Sequence, residues 1–411
     1  MEFIADLHIH SRYSRATSEE MVIPEISRWA QRKGIRLVGA GDMTHPKWLD
    51  HLKAELVPAG GDLYKHKDTY FILNTEVSNI YSKFGKLRKI HALIFVPTFD
   101  DAKKVTRIVE KYGKIESDGR PMLGLDVADM TGAIRNACPR SFIVPAHIWT
   151  PWFSLFGAKS GFDTIEDCFG PLAKEIHALE TGLSSDPAMN WRLSALDRFS
   201  LISNSDAHSP SKLGREANVF DCDLAYDEII DVLKKKDGRR FKYTIEFFPE
   251  EGKYHYDGHR KCSVRVSPSE SKMNEDLCPV CGKPVTIGVL HRVEDLADRN
   301  EGFVPENAIP YRSLVPLEEV IAASLGVGTG TAAVTKEYDR LVASFKSEFD
   351  VLLNVPVEDI AAASSEKTAD AVRKVREGKV KVIPGYDGEF GEIELVEGQE
   401  CRAEDSQMTL F

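Results

Sequence analysis

The chain has 411 residues, enough for two or three domains, and its 42% hydrophobic and 28% charged content is that of an ordinary globular protein. No stretch approaches the roughly 20 apolar residues of a membrane span. The start lacks the basic flank and apolar run of a signal peptide, so a cytoplasmic protein with no membrane partner is expected. The net charge of −11 argues against a nucleic-acid partner for the surface as a whole. Three local basic runs remain, Lys83–Lys89, Lys234–Lys242 and Arg260–Arg265, each either a phosphate patch or a plain solvated face. Seven cysteines, three of them close together, suit a metal site plus buried thiols and not a disulfide framework.

In chain order, Phe3-Ile4-Ala5 predicts a buried strand, followed by Asp6-Leu7-His8-Ile9-His10-Ser11. Alternate residues of a strand share a face, so His8 and His10 can point at one ion, although two neighbouring histidines can also arise by chance. A helix opens near Pro24 and stops at Gly34. Next comes a strand over Arg36–Ala40 ending in Gly41-Asp42, with His45 close behind. Further strands are Tyr70–Leu73 leading to Glu76, His91–Val96, Phe142–Val144 leading to His147, Ala178–Leu179 leading to Glu180, and Leu201–Ile202 leading to Asp206 and His208. Helical patterns such as Ala102–Tyr112 and Tyr226–Lys236 fall between them. This alternation predicts an α/β fold with a parallel sheet, open or closed into a barrel. His, Asp or Glu recurs at successive strand ends, the rim where α/β barrels assemble active sites. His91 differs, because it opens its strand, unless that strand begins a few residues earlier. So many polar groups at strand ends are hard to assign to a packed core and point to a metal cluster. Mixed histidine and carboxylate ligands suit zinc, manganese or iron better than magnesium or calcium. Glu76 is the best bridging candidate.

The set Asp6-x-His8-x-His10-Ser11, Gly41-Asp42-x-x-His45, Glu76, His91, Ala146-His147 and Ser205-Asp206-x-His208 resembles the ligand set of the PHP (polymerase and histidinol phosphatase) superfamily. The resemblance implies a distorted (β/α)7 barrel holding two or three divalent ions and hydrolysing phosphate esters. Many members carry another histidine after the HxH. Here Tyr13-Ser14-Arg15-Ala16 stands in its place, which implies a third ion missing or differently held.

Within the barrel, residues 148–170 are unusually aromatic: Trp149, Trp152, Phe153, Phe156 and Phe162 either stack nucleic-acid bases or form a small core closing the loop. Tyr13 and Arg15, beside the metal motif, are placed to touch a phosphate or base. A boundary follows Lys242. Beyond it, His259-x2-Cys262 and Cys278-Pro-Val-Cys281 have the spacing of a closed structural zinc site, with His255 as the fallback fourth ligand. Residues 298–380 look helical, with segments at Val320–Leu325, Thr335–Phe349 and Glu366–Glu377. The turn Gly326-Val327-Gly328-Thr329-Gly330 is similar to the glycine turn of helix-hairpin-helix DNA-backbone motifs, or simply permits close helix packing. The last residues, 381–411, read as a small acidic terminal piece or tail. They end in Gln407-Met408-Thr409-Leu410-Phe411, which partly resembles a PCNA-interacting peptide, with an ordinary chain end as the alternative.

The order of parts, a barrel over 1–242, a zinc module over 243–297 and a helical domain over 298–380, resembles the endonuclease Q family across nearly the whole chain. The most specific segments are Glu2–Ser14, Gly41–Pro46, Ser205–His208 and Leu277–Arg292. The resemblance implies DNA containing deaminated bases (hypoxanthine, uracil, xanthine) or abasic sites as partner, nicked on the 5′ side of the lesion. It implies His8, His10, Asp42, His45, Glu76, His91, His147, Asp206 and His208 as metal-site residues, with Asp42 either a ligand or the support of a ligating His45. Catalysis would fall to His8, His10, Glu76, Asp206 and His208. A small-molecule phosphoesterase of the histidinol-phosphatase type explains the same residues but leaves the zinc module and the helical region without a role.

Overall fold

The computed structural model describes residues 1–395, so Gln407, Leu410 and Phe411 of the clamp-like tail lie outside the described residues. The parallel strands Glu2–Asp6, Leu37–Gly39 and Thr69–Lys83 lie side by side, with Ala5 opposite Leu37 and Leu37 opposite Tyr70. Thr69–Lys83 turns back into Lys86–Val96, which pairs antiparallel both with it and with Phe142–Pro145. Ala178–Glu180 and Ser200–Ile202 pair in parallel, and a parallel bridge between Ile9 and Ala207 returns to the first strand and closes the barrel. The expected run of parallel strands is therefore interrupted by the reversed strand Lys86–Val96, which distorts the barrel. His91 does not open this strand, which begins at Lys86; it lies at the strand's middle, opposite Ser78 and two residues before Leu93, the partner of Glu76, so the reversed strand brings it level with the site.

Alternation along the strands builds two cores. Phe3, Ala5, Leu7, Leu37, Ile72, Leu93, Phe95, Val144, Ala178 and Ile202 fill the barrel interior. Their neighbours Val38, Phe71, Leu73, Ile94, Ile143, Leu179 and Leu201 face the other way, toward the helices. Strands buried on both faces are what a barrel wrapped by helices demands. The helix Tyr226–Lys235 adds Ile229, Ile230 and Leu233 to the interior core, and its Tyr226 hydroxyl donates to the carbonyls of Phe95 and Arg140. Truncating one such buried side chain to alanine costs about 2–5 kcal/mol. Continued two residues at a time, the inward parity reaches Asn74 and Glu76 beyond Ile72, His91 before Leu93, Glu180 beyond Ala178 and Asn204 beyond Ile202. The same geometric face that is apolar at the bottom is thus polar at the top.

The helix Ile23–Lys33 buries Ile23, Ile26 and Ala30 and ends at Gly34, whose φ of 90° needs a glycine. The sheet runs past Lys242: Ala217–Asp221 pairs antiparallel with the first strand, Phe241–Glu246 with it, and Tyr311–Ser313 from the helical part adds a parallel edge. The zinc module carries a short hairpin, Asp257–His259 with Val264–Val266. The helices Leu317–Leu325, Ala332–Phe345, Val357–Ala363 and Glu366–Arg376 follow. The expected helix over Thr335–Phe349 stops early because Lys346 turns to a φ of 77° and the Ser347 hydroxyl accepts the Asp350 amide at 3.1 Å. That turn sends Glu348 inward to Lys33 of the barrel at 2.6 Å, docking the helical part. The strands Val380–Ile383 and Glu392–Leu395 form a hairpin, and Asp387 between them accepts from the Arg260 amide at 2.6 Å and the Thr286 hydroxyl at 2.7 Å. The terminal piece therefore packs on the zinc module. No helix of the described residues is long and apolar enough to cross a membrane.

Candidate metal centre

The HxH is placed by side chains and not by the sheet. The first strand ends at Asp6, and the backbone of Leu7 is taken up by two buried asparagines: its amide donates to Asn204 Oδ1 at 2.8 Å and its carbonyl accepts from Asn74 Nδ2 at 2.9 Å. Asp6 accepts the Ser205 hydroxyl at 2.6 Å and the Gly214 amide at 2.9 Å, tying the strand to the Ser205-Asp206 turn. Three site residues at strand ends, Asp42 (φ 43°), His147 (φ 30°) and Asp206 (φ 47°), hold left-handed backbone, an unfavourable state concentrated where side chains must be aimed.

Two groups of ligand atoms result. His8, His10, Glu76 and Asp206 bring one atom each to within 4.8 Å of one another, and so do Glu76, His91 and His147. In the first, His10 Nε2 lies 3.0 Å from Asp206 Oδ1 and 3.2 Å from Glu76 Oε2, and His8 Nε2 lies 3.6 Å from each of the same two oxygens. In the second, Glu76 Oε1 is 2.7 Å from His91 Nδ1 and 3.1 Å from His147 Nε2. Glu76 therefore presents one oxygen to each group. His8 Nε2, His10 Nε2 and Asp206 Oδ1 are buried without a hydrogen-bond partner. Convergent lone-pair donors of this type fit divalent cations, and no hydrogen bond among the described residues satisfies them.

The outer nitrogens are committed elsewhere. His8 Nδ1 contacts both oxygens of Glu180 at 3.0 and 3.1 Å, and Glu180 also accepts the His147 amide at 2.8 Å and Asn204 Nδ2 at 2.7 Å. His10 Nδ1 is held by Asp42 at 3.0 Å, and Asp42 also accepts the Ser11 amide and hydroxyl at 2.7 and 2.6 Å. Burial alone would push His8 and His10 down, but Glu180, Asp206 and Glu76 around His8, and Asp42, Asp206 and Glu76 around His10, hold both well above the usual 6.5. Glu76 and Asp206 are held down, against burial, chiefly by His91 and Arg120 for Glu76 and by His8 and His10 for Asp206. His91 is instead pushed by burial to about 4. Protons sit where cations fit, so ion binding must release them.

The remaining candidates divide. Asp42 supports His10, not His45. His45 stays outside both groups, its ring stacked on Tyr13 at 4.4 Å, with Nδ1 buried and unpartnered. His208 is also outside them: its Nδ1 donates to the Asp206 carbonyl at 2.8 Å and its ring lies 4.6 Å from that of His10. Arg15 is exposed beside the site. Trp149 is 1% exposed, donates to Asn190 at 2.8 Å and packs on Phe156, so it belongs to the core under the aromatic loop and presents no face to a base. Trp152 is exposed and meets Tyr254 of the zinc module edge-on at 5.4 Å. Gly326 and Gly328 lie on an exposed turn where an added Cβ would meet nothing within 4 Å, which removes close helix packing as their reason. Gly326 alone needs its freedom, at a φ of 67°.

Glu180, Asn74, Asn204 and Arg120 are missing from the sequence-derived site. Arg120 Nη1 lies 3.0 Å from Glu76 Oε2. Glu180 ends an apolar run as the ligands do, which is a sequence signal, whereas the other three carry none. Apart from the barrel, His259, Cys262, Cys278 and Cys281 converge within 4.8 Å, with Cys281 Sγ 3.5 Å from His259 Nδ1. Partial burial pushes the Cys278 thiol up, but the amides of Val280 and Cys281 outweigh it and bring the thiol to about 7, toward the thiolate that zinc needs. His255 is buried away from this group. The set fits a closed structural zinc.

Residues 316–379 match the family model described as the MJ0043 C-terminal domain. The uncharacterized protein MJ0043 of Methanocaldococcus jannaschii is 33% identical over 250 residues, which are 60% of this chain and 31% of that one, so the chain spans about a third of that relative's length. The uncharacterized protein YqxK of Bacillus subtilis is 31% identical over 412 residues, 95% of this chain and 98% of that one. Among solved structures, the lesion-specific endonuclease PfuEndoQ of Pyrococcus furiosus superposes with a TM-score of 0.87 at 34% identity, over 97% of this chain and 96% of that one. An endonuclease Q in complex with a 27-mer duplex carrying an abasic lesion at its active site gives 0.86 at 35% identity, over 97% of both chains.

Proposed function

Because the chain belongs to the endonuclease Q family, we propose that it is a metal-dependent DNA repair endonuclease acting at deaminated bases and abasic sites. The observation that supports this most is the division of Glu76 between two groups of ligand atoms. His8, His10, Glu76 and Asp206 would hold one divalent ion, Glu76, His91 and His147 a second, and His259, Cys262, Cys278 and Cys281 a structural zinc. Ions at the barrel supply Lewis acidity toward a phosphodiester and lower the pKa of water to the physiological range. The ligand chemistry favours zinc, manganese or iron, with magnesium a weaker fit.

The chain's own residues do the rest. Glu180 and Asp42 hold the Nδ1 atoms of His8 and His10, so that both Nε2 atoms turn toward Glu76 and Asp206, where they would hold an ion. The reaction adds a water oxygen to phosphorus and breaks the P–O3′ bond 5′ to the lesion; the departing O3′ takes up a proton, leaving 3′-hydroxyl and 5′-phosphate ends. Trp152 and Tyr254 line the seam between barrel and zinc module where bases can stack, and Tyr13 and Arg15 stand beside the HxH for phosphate contact. Deaminated and abasic positions pair poorly, so extruding them costs less, which supplies part of the selectivity. Clamp binding through Gln407, Leu410 and Phe411 rests on the sequence of the tail alone.

The test is a labelled duplex with one hypoxanthine, uracil, xanthine or abasic site, incubated with manganese, magnesium or zinc. A single nick 5′ to the lesion is expected. No nick across metals and salt concentrations sinks the proposal. Asp206→Asn should bind that duplex like wild type and cut it at least 100-fold more slowly, on the order of the loss of a principal charge-stabilising group. A small-molecule phosphoesterase would instead hydrolyse phosphate monoesters and ignore the lesion.

A further inference from the structure

Arg120 stands on the segment after the helix Phe99–Val109, and that segment is fastened over the HxH. The Gly119 amide donates to the Tyr13 carbonyl at 2.9 Å, and Asp118 accepts the amides of Arg15 and Arg120 at 3.3 and 3.1 Å. Gly119 lies so close to the site that a Cβ there would come within 2.3 Å of Asp42 Oδ2. The guanidinium that follows is 3.0 Å from the Glu76 oxygen shared with His10 and His8. Its side chain keeps 24% of its surface open, and its Nε and Nη2 have no acceptor among the described residues.

A purely structural ion pair does not account for this placement. Glu76 already has His10, His91 and His147 around it. Once two divalent ions take those positions the carboxylate has more positive charge than it can neutralise, and a guanidinium at 3.0 Å faces like charge in a partly buried site. Asp206 and Asp118 offset part of that charge, and an anion beside Arg120 would offset the rest. A phosphodiester is that anion, and the free edge of a guanidinium matches two of its oxygens. We propose that Arg120 is a further catalytic residue, one that contacts the scissile phosphate and stabilises the charge growing on its non-bridging oxygens. The inference rests on the phosphodiester reading of the barrel site given above.

The experiment compares full-length wild type, Arg120→Ala and Arg120→Lys, each with metal content measured, on the lesion duplex. Arg120→Ala is expected to keep its metals and lose about 100- to 1,000-fold in kcat. Lysine recovers little of that, because it lacks the fork, whereas added guanidinium restores part of the alanine variant's rate. Binding is read separately in the non-cutting Asp206→Asn background, where Arg120→Ala should lower the salt dependence of DNA affinity by about one phosphate contact. Wild-type rates in Arg120→Ala overturn the proposal. So does loss of metal together with activity and no guanidinium rescue, the result of a structural role. If wild type leaves the lesion duplex intact, the same variants are compared on bis-p-nitrophenyl phosphate. A guanidinium-rescued defect there upholds Arg120 while the lesion reading fails, and equal rates or equal inactivity overturn both.

Discussion

Glu180 accepts the Nδ1 proton of His8 at 3.0 Å, and that contact decides which nitrogen of the histidine is left for an ion. The carboxylate is 1% exposed and fully used: besides His8 it takes the His147 amide and Asn204 Nδ2, so it orients one residue of each ligand group. Glu180→Gln keeps the shape but replaces one acceptor by a donor, which must then face another N–H. Affinity for the barrel ions should fall about 10–100-fold, the usual cost of removing such support. Manganese titration of the metal-stripped variant against wild type checks this, and unchanged affinity would release Glu180 from the role.

What the sequence disclosed and what it hid follow one physical line. His8, His10, Glu76, His147 and Asp206 each stand at the end of an apolar run, and a parallel barrel brings all such ends to one rim. His91 reads in sequence as the opening of a strand, but the strand runs Lys86–Val96 with His91 at its middle, and its antiparallel pairing with both neighbours brings His91 to the rim. Asn74 and Asn204 left no trace, because side-chain amides that replace sheet hydrogen bonds obey no periodicity. Arg120 lies in irregular chain, where neither period applies. Composition made the 148–170 loop conspicuous but could not separate Trp149, which packs inward, from Trp152, which does not. The DNA-directed reading came through family resemblance; the residues alone stop at a phosphoester site.

A pair of buried carboxyl groups, Glu216 and Glu246, gives the protein a pH-dependent stability of defined sign. Burial pushes Glu246 up to about 8, although Thr244, Ser203 and Thr181 donate to it, and Glu216 is raised by burial and by the charge of Glu246. The folded chain thus keeps a proton that the unfolded chain releases near 4.5. The stability this proton contributes is complete below that value and is lost as pH rises through about 8, at up to ~1.4 kcal/mol per pH unit. Melting temperatures of the metal-loaded protein should therefore fall across that window, and Glu246→Gln should flatten the fall. Parallel curves for the two proteins would exclude Glu246 as its source.

Arg292 reaches from the zinc module into the barrel's aromatic loop. Its Nε donates to the Phe156 carbonyl at 3.0 Å, its Nη2 to the Phe162 carbonyl at 3.2 Å, and it pairs with Asp163. The same loop touches the metal site, because the Phe153 carbonyl accepts the His91 amide at 3.0 Å and its ring lies 4.8 Å from the His91 ring. Hydrogen bonds from a charged donor contribute about 1.5–3 kcal/mol each. Arg292→Ala should accordingly raise hydrogen exchange across 153–163 at least tenfold and slow lesion cleavage, with barrel metal content unchanged. Exchange identical to wild type would show that the loop holds itself.

The zinc module has little core of its own, so an ion on His259, Cys262, Cys278 and Cys281 would hold it together. Its hairpin has three residues in each strand, far short of what is stable alone, and few of its side chains are buried. Yet it must present Tyr254 to Trp152 and Arg292 to the aromatic loop, so a local metal has consequences at the barrel rim. Cys278→Ser removes a thiol of the set that is buried and brought toward the thiolate by the amides of Val280 and Cys281. Zinc content should drop by one ion per chain, exchange protection should vanish over 257–286, and lesion binding should weaken. The strands carrying Glu76 and His91 should stay protected and keep their ions, since they share no ligand with the module. Glu180→Gln is expected to do the reverse, loosening barrel ions and sparing the zinc. If Cys278→Ser instead emptied the barrel, or left the zinc count unchanged, the two sites would not be the independent centres that their separate ligand sets describe.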